Sequence, residues 1–524
     1  MTTHRRMLWL TLLMSVSAPT LAQTVSTDRG RVAGVTEGSI EVFRGIPFAA
    51  PPTGPNRWRA PQPIAPWTET RKATTFGFSC PQPQYPGGGG PYTPEFTKTP
   101  SNSEDCLFLN VWKPKTTAKK LPVFVWIHGG GFGGGAGGVP IYDGAKLASR
   151  DMVVVTINYR LGPLGFLAHP ALSAEDPDHS SGNYGLLDQV AALDWVERNI
   201  SNFGGDPANV TIAGQSAGAA SVHYLLASPL SRGKFRQAIA ESGSGLGLDG
   251  MKLADAEANG VAFAAYLGAK TPAEMRALSA EKILDGVFLP FGPPPPAGKP
   301  KIRFGPVIDN HMVVTDPGAH PEKSQVTAPL LTGFNTEEAG LPQPTSVSQF
   351  EAMVRKRFGA QAERVLGLYA HKTDAEATES SGILARDRYM ASLILWTEQR
   401  TATAGEPIYR YLFTQHIPVA RGPDFGAFHT AEVPYVFGNT DTKLRPYSAI
   451  DNKISRQMQN YWLNFARTGN PNGPGLPNWR RAEVGTPTVL KLTAPAEVAP
   501  AVSTPERLAV LRDYVAGGGA LSLF

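Results

Sequence analysis

A serine enclosed by small residues is the first feature of the chain with chemical meaning. Residues 214–218 (GQSAG) match the pattern G-x-S-x-G. A short strand-like run at 210–213 precedes them, and a helix-like stretch to Ser228 follows. A sharp turn from strand to helix exposes a serine as a nucleophile, and small neighbours let the backbone pass close by. In a chain with 55 glycines the pattern alone is weak. Its context predicts nucleophilic chemistry at Ser216.

A glycine-rich loop lies earlier in the chain. Residues 128–132 (HGGGF) follow a β-branched and aromatic run at 122–127. Successive glycines let N–H groups point into a site without obstruction by side chains, and HGGG loops hold the oxyanion in esterases and lipases. We expect the N–H groups of Gly130, Gly131 and Ala217 to surround one developing oxyanion. Losing one such donor costs about 3 kcal/mol of transition-state stabilisation.

A serine nucleophile needs a base and an orienting acid. In folds with a nucleophile at such a turn from strand to helix, the acid follows the serine in the chain and the histidine follows the acid. His429 lies in a glycine-containing loop after a strand-like run, which favours it as the base. His416 is nearer that strand and is the alternative. Glu337 and Glu338 both follow another strand-like run. The pattern alone does not choose between these two acids.

The elements that must position these residues alternate along the chain. An apolar repeat from Leu186 to Ile200 at spacings of three and four predicts an amphipathic helix. The alternation predicts an α/β fold with one large, mostly parallel central sheet and helices on both faces. The strand-like runs are 40–43, 122–127, 152–158, 210–213, 237–240, 329–332, 408–413 and 489–492.

The N-terminus has the pattern of an export signal. His4, Arg5 and Arg6 precede an apolar run at 7–16 that is too short to span a bilayer. Small residues end at Ala22, which predicts a signal peptide over 1–22 and cleavage after Ala22. The remaining residues, 23–524, are expected to form a single domain. We therefore expect a periplasmic or secreted protein.

Charge, hydropathy and cysteine content indicate which binding partners and cross-links the chain can have. The net charge of +5 is mild, and no basic cluster carries interleaved aromatic residues, so nucleic-acid binding is not supported. No later segment is long and apolar enough for a membrane anchor. The chain has two cysteines, Cys80 and Cys106. In an exported chain two cysteines most simply form one disulfide.

Longer motifs carry a resemblance to a known family. The chain resembles the type-B carboxylesterase family, also called the carboxylesterase/cholinesterase family, from about residue 24 to near residue 480. The motifs that carry it are 203–218, similar to the serine signature, 104–111 (EDCLFLNV), similar to the second signature, 158–162 (NYRLG), 182–189 (GNYGLLDQ) and the stretch 461–477.

The resemblance implies the α/β-hydrolase fold and a serine carboxylic-ester hydrolase that acts through an acyl-enzyme without metal or organic cofactor. It selects Glu338 as the acid and His429 as the base of a triad with Ser216. The same alignment of motifs assigns Gly130, Gly131 and Ala217 to the oxyanion hole and Cys80 and Cys106 to the first disulfide of the family. The alternatives are a lipase, amidase or polyester hydrolase with the same triad, or an inactive binding member.

Two departures from the cholinesterase pattern bear on the substrate. Gln215 stands where cholinesterases carry Glu. The loop between the cysteines contains Tyr85, Tyr92 and Phe96 but no Trp, and cholinesterases use a Trp there to hold a quaternary ammonium. We therefore expect neutral, small to medium esters to be preferred over choline esters.

Overall fold

The computed structural model describes residues 20–84, 88–248, 250–285, 302–419, 422–442 and 444–521, without the side chains of 20–22 and 404. Most of the predicted signal peptide, residues 1–19, lies outside the described residues, as does Tyr85. The signal peptide therefore stays a prediction.

Fifteen strands are present in the described part of the chain. Their order in the large sheet is β1-β2-β3-β5-β7-β6-β8-β9-β12-β13-β14-β15, with β4 beside β2, and β10 and β11 form a separate pair. The strands are β1 (Thr20–Ser26), β2 (Arg31–Glu37), β3 (Ile40–Pro47), β4 (Arg71–Lys72), β5 (Phe108–Pro114), β6 (Leu121–Ile127), β7 (Val153–Ile157), β8 (Gly205–Gln215), β9 (Gln237–Glu241), β10 (Met251–Lys252), β11 (Val307–Ile308), β12 (Leu330–Asn335), β13 (Ile408–Phe413), β14 (Thr488–Leu492) and β15 (Glu497–Pro500).

The centre of the sheet is parallel and its margins are antiparallel. Neighbours from β7 through β6, β8, β9, β12 and β13 to β14 all pair in parallel. Antiparallel pairs join β1, β2, β3, β5 and β7 at one side and β14 with β15 at the other. The predicted large, mostly parallel sheet is confirmed. The strands β6 and β7 are buried at every position, as expected for strands covered on both faces.

Helices cover both faces of this sheet. Two neighbouring residues of β6 enter different apolar clusters. Val125 packs in the cluster that contains helix α5 (Tyr184–Asn199), and Trp126 packs in the cluster that contains helix α14 (Ala449–Thr468). The helices are α1 (Pro94–Thr97), α2 (Ala145–Ala148), α3 (Gly162–Phe166), α4 (Pro170–Glu175), α5 (Tyr184–Asn199), α6 (Ala217–Leu226), α7 (Leu253–Leu267), α8 (Pro272–Ala277), α9 (Ala280–Leu284), α10 (Val347–Phe358), α11 (Ala362–Leu366), α12 (Asp374–Ala404), α13 (Val433–Phe437), α14 (Ala449–Thr468) and α15 (Pro505–Ala516).

Two predictions about connections can be compared directly with the structure. A disulfide joins the buried residues Cys80 and Cys106, so the loop between them is closed covalently. Among the described residues, no helix has the length and apolar character needed to cross a bilayer.

The helix after the serine ends at Leu226, shortly before Pro229, because proline cannot continue a helix interior.

Candidate active site

Ser216 occupies the sharp turn between β8 and α6. Its φ of 57° and ψ of −123° are unusual for a residue with a Cβ, and strain of this kind persists only where the surroundings enforce it. One enforcing contact is the Ser216 N–H, which donates to the carbonyl of Glu241 at 2.8 Å. The side chain is therefore placed at the carboxyl end of a central strand.

Glycines around Ser216 make this turn possible. A Cβ on Gly218 would lie 2.0 Å from the carbonyl oxygen of Ile127, and a Cβ on Gly243 would lie 2.6 Å from the carbonyl oxygen of Ser216. Both distances are far inside van der Waals contact. A side chain at either position would push the turn away from β6 or from the segment after β9.

The acid that reaches His429 is Glu338. Its Oε2 accepts a hydrogen bond from His429 Nδ1, and its Oε1 accepts one from the Asn335 N–H at 2.7 Å. Glu337 faces elsewhere: its Oε2 accepts from the Ala427 N–H at 2.8 Å. The structure thus brings together Glu338 and His429, the two residues that resemblance selected.

The alternative base, His416, lies apart from this pair. Its Nδ1 is 2.7 Å from Asp424 Oδ2, and both side chains are more than half exposed. Burial alone would lower the pKa of His429, but the charge and hydrogen bond of Glu338, with a contribution from Glu432, together raise that pKa above its usual value. His416 has the surroundings of a surface ion pair, whereas His429 has a buried carboxylate partner.

The amide of Gln215 faces the other nitrogen of this imidazole. Gln215 Nε2 lies 3.2 Å from His429 Nε2, and the Gln215 side chain is buried. When the imidazole is neutral, an Nδ1–H directed at Glu338 leaves Nε2 unprotonated, and Nε2 then accepts from the amide. The residue before the nucleophile is therefore part of the site, and it contributes no charge.

The loop of residues 128–132 lies beside the serine, since a Cβ on Gly129 would lie 3.0 Å from Ser216 Cβ. Gly130 and Gly131 have φ values of 113° and 61°, in the region that favours glycine. The N–H groups of Gly133 and Gly134 close a turn onto the Gly130 carbonyl, each at 3.0 Å. Ala217 is the first residue of α6, where N–H groups have no partner within the helix.

His128 holds this loop and stays neutral. Burial lowers its pKa to about 4. Its Nδ1 is 2.8 Å from the Gly129 carbonyl oxygen, and its ring stacks on Tyr159 with centroids 4.4 Å apart. Tyr159 donates from its hydroxyl to the His128 carbonyl at 2.9 Å. The two contacts with Tyr159 anchor the start of the glycine run to the segment that follows β7.

A cavity of about 560 Å³ opens next to the serine. Gly131, Ser216 and Ala217 lie on its wall, which is otherwise mostly apolar. The remaining lining residues are Phe132, Phe166, Ala168, Ala220, Tyr224, Gly243, Gly247, Leu248, Gly250, Met251, Ala256, Asn259, Ile302, Arg303, Phe304, Gly305, Pro306 and Val307. In the described residues no group of three or more His, Cys, Asp or Glu is arranged to hold a metal ion.

Sequence reasoning missed the residues that surround the Glu338–His429 pair. Tyr92 donates from its hydroxyl to the His429 carbonyl at 3.0 Å. Asn335 donates from Nδ2 to the buried carboxylate of Glu432 at 2.6 Å, and burial together with the Glu338 charge raises the pKa of Glu432 to about 7. No short-range pattern marks these residues, because each contacts a partner far away in the chain.

Comparison with known proteins shows the family to which the chain belongs. The model of the carboxylesterase family matches residues 21–508. The chain belongs to this carboxylesterase family. Similar proteins in it include the fumonisin B1 esterase of Sphingopyxis macrogoltabida, 39% identical over 91% of this chain and 88% of that protein. The para-nitrobenzyl esterase of Bacillus subtilis is 36% identical over 87% of this chain and 92% of that protein.

Solved structures of the family match the fold as well. A thermophilic para-nitrobenzyl esterase superposes with a TM-score of 0.77 at 33% identity, covering 93% of this chain and 99% of that one. Another para-nitrobenzyl esterase gives a TM-score of 0.76 with the same coverage. The predicted α/β-hydrolase fold is confirmed, and the chain is a carboxylesterase family enzyme that acts on esters.

Proposed function

We propose that the protein hydrolyses carboxylic esters through an acyl-enzyme, with Ser216 as nucleophile, His429 as base and Glu338 as orienting acid. The observation that carries this proposal is the hydrogen bond between the buried carboxylate of Glu338 and His429 Nδ1. It directs Nε2 of the same imidazole toward the residue before Ser216. An inactive binding member of the family is disfavoured because both Ser216 and His429 are present.

The reaction follows from this placement. Ser216 Oγ attacks the ester carbonyl while His429 Nε2 takes its proton, and the N–H groups of Gly130, Gly131 and Ala217 stabilise the oxyanion. The imidazolium is stabilised by Glu338 and returns the proton to the departing alcohol. Water, deprotonated by His429, then attacks the acyl carbon. The bond from that carbon to Ser216 Oγ breaks, His429 returns the proton to Oγ, and the acid is released.

Neutral esters of small to medium size are the proposed substrates, in preference to choline esters. The cavity volume lies in the range of small-molecule sites. Gln215 is neutral, and the Phe96 ring already carries the Arg445 guanidinium 5.1 Å from its centroid. That ring therefore already contacts a cation of the protein itself. A quaternary ammonium group would have no carboxylate at position 215 and no Trp in the loop between Cys80 and Cys106 to bind to.

We also propose that the protein is exported after cleavage behind Ala22. The pairing of β1 with β2 is irregular between Leu21 and Thr24 and regular from Thr24 onward. A chain starting at residue 23 therefore keeps the regular part of this strand pair. N-terminal sequencing of protein recovered from the periplasm or the medium tests the proposal, and a chain that retains residues before 23 contradicts it.

The nucleophile is tested by Ser216→Ala together with an organophosphonate probe. We expect the variant to fold and to lose ester hydrolysis by several orders of magnitude, because removal of a triad member leaves only binding and oxyanion stabilisation. The probe should label the wild type at Ser216 alone. Ser149→Ala, at an exposed serine, is the matched control and should retain both labelling and activity. Labelling of Ser216→Ala would assign the nucleophile elsewhere.

A further inference from the structure

We propose that Arg303 forms an anion subsite in the cavity beside Ser216, so that esters carrying a carboxylate are preferred over uncharged analogues of the same shape. This inference rests on the proposed function and names a substrate class for the same site. Uncharged esters remain substrates, and a carboxylate on the ester supplies a second point of recognition at Arg303.

Charge distribution on the cavity wall is the first observation. Among the described lining residues, Arg303 is the one charged side chain, and none is acidic. Most of its neighbours on the wall are apolar or glycine, and Tyr224, Asn259 and Ser216 are the polar exceptions. A fixed positive charge beside walls of low polarity attracts an anion more strongly than the same charge in open water.

No described acidic residue pairs with the Arg303 guanidinium. In the part of the chain that the structure describes, no hydrogen bond or ion pair joins Arg303 to another residue. Two buried arginines, by contrast, have acidic partners: Arg160 binds Asp188 at 2.7 Å, and Arg57 binds Glu104 at 2.5 Å. Arginine is charged at all relevant pH values and presents donors in a fork that matches a carboxylate. These donors are therefore available to a ligand.

The backbone that carries Arg303 is held in place. Ile302 and Phe304 on either side are buried, and the Phe304 ring packs against Phe263 with centroids 4.8 Å apart. Farther along, the Val307 N–H donates to Asn183 Oδ1 at 2.9 Å, and Asn183 Nδ2 donates to the Val307 carbonyl at 2.7 Å. The charge is thus presented from an anchored segment at the edge of the cavity.

Because the Arg303 side chain is exposed, water and salt screen part of its attraction. We therefore expect a moderate effect, about tenfold in kcat/KM, which corresponds to about 1.4 kcal/mol. An arginine that merely keeps the rim soluble would produce no such discrimination, and this difference makes the proposal testable.

The test uses two series of esters. In the first, para-nitrophenyl monoesters of linear dicarboxylic acids from adipic to sebacic acid place a carboxylate at increasing distance on the acyl side. In the second, butyrate esters of carboxyalkyl phenols place it on the alcohol side. Each compound is paired with its terminal carboxamide, which has nearly the same size and no charge. Both series are measured with wild type, Arg303→Ala, and the control Arg232→Ala, an exposed arginine outside the cavity lining.

We expect at least one chain length at which the wild type and Arg232→Ala prefer the carboxylate about tenfold or more over the carboxamide. In Arg303→Ala this ratio should fall to near one, because only the carboxylate of each pair uses the guanidinium. Added sodium chloride should lower the ratio in the wild type but not in Arg303→Ala.

The possible failures are distinguishable. If the wild type hydrolyses the carboxamides but shows no preference for any carboxylate in either series, the anion subsite is wrong and the esterase function stands. A preference that survives in Arg303→Ala likewise overturns the subsite. If neither member of any pair is hydrolysed in a Ser216-dependent manner, the proposed function itself fails.

Discussion

Replacing Glu338 by Gln tests the triad at its most buried point. The Glu338 side chain is fully buried and uses both oxygens, one for His429 Nδ1 and one for the Asn335 N–H. A glutamine offers one oxygen and one NH₂ group. If the NH₂ group faces Asn335, it meets the Asn335 N–H, and neither of these two donors has an acceptor there. If it faces His429, Nδ1 must become the acceptor, and Nε2 then carries the proton and cannot act as the base.

Both orientations are unfavourable for catalysis, so the expected loss is large. A wrong tautomer and an unstabilised imidazolium together lower kcat by about 10³- to 10⁴-fold, or about 4 to 5.5 kcal/mol of activation free energy. KM should change little, because Glu338 lies behind His429 and does not line the cavity in the described residues.

The assay is steady-state hydrolysis of a para-nitrophenyl ester over a range of pH, with thermal unfolding of each variant as a check on folding. Glu338 and Glu432 raise the pKa of His429 against the effect of burial. Removing the Glu338 charge therefore lowers this pKa. Activity requires neutral His429, so the acid limb of the residual kcat/KM profile should move to lower pH.

Glu337→Gln is the matched control, since Glu337 is adjacent in the chain but accepts from the Ala427 N–H instead. It should retain most of the activity and the wild-type acid limb. The reasoning is refuted if Glu337→Gln causes the larger loss, or if a folded Glu338→Gln enzyme keeps more than about one tenth of the wild-type kcat, well above the loss expected for a triad acid.

Three further predictions concern the disulfide loop and the substrate. Tyr92→Phe removes the hydroxyl that donates to the His429 carbonyl; we expect kcat to fall about two- to tenfold, as for one hydrogen bond, with KM unchanged in steady-state kinetics. Replacing both Cys80 and Cys106 by Ala opens a loop with a sequence separation of 26, and the free energy of unfolding measured with denaturant should fall by about 3 kcal/mol. Treatment of the unreduced wild type with an alkylating reagent should leave its intact mass unchanged, because it has no free thiol. Butyrylcholine should have a kcat/KM at least about tenfold lower than that of an uncharged butyrate ester of similar bulk and leaving-group pKa, a difference of about 1.4 kcal/mol. Equal kcat/KM values would mean that another aromatic or acidic residue lines the pocket.

Much of the fold could be predicted because its signals are local. The run at 122–127 is apolar on both faces, and the structure buries every residue of β6. The predicted strand at 408–413 has the bounds of β13. The predicted strand at 210–213 is only part of β8 (Gly205–Gln215), because pairing with β6 extends a strand beyond its apolar run. In the antiparallel margin, β2 and β3 pair across a short turn, whereas the pairing of β3 with β5 joins segments that lie far apart in the chain.

The active site likewise has features that depend on neighbouring residues and features that depend on the folded chain. The turn at Ser216 and the glycine loop at 128–132 are predictable from neighbouring residues, since a positive φ and a close backbone approach demand small side chains at set spacings. The choice between Glu337 and Glu338 is different. Both follow β12, and only the direction of each side chain in the folded chain separates a partner of His429 from a partner of Ala427.

The sequence by itself determined the nucleophile motif, the oxyanion loop, the two cysteines and the parallel core, because each depends on backbone geometry or hydrophobic burial within a few residues. Only the tertiary structure decided what surrounds them. It placed the Gln215 amide on His429, the Tyr92 hydroxyl on the His429 carbonyl and Arg303 on the cavity wall. The physical reason is that contacts across tens to hundreds of residues depend on how the sheet and its loops pack, which no local periodicity records.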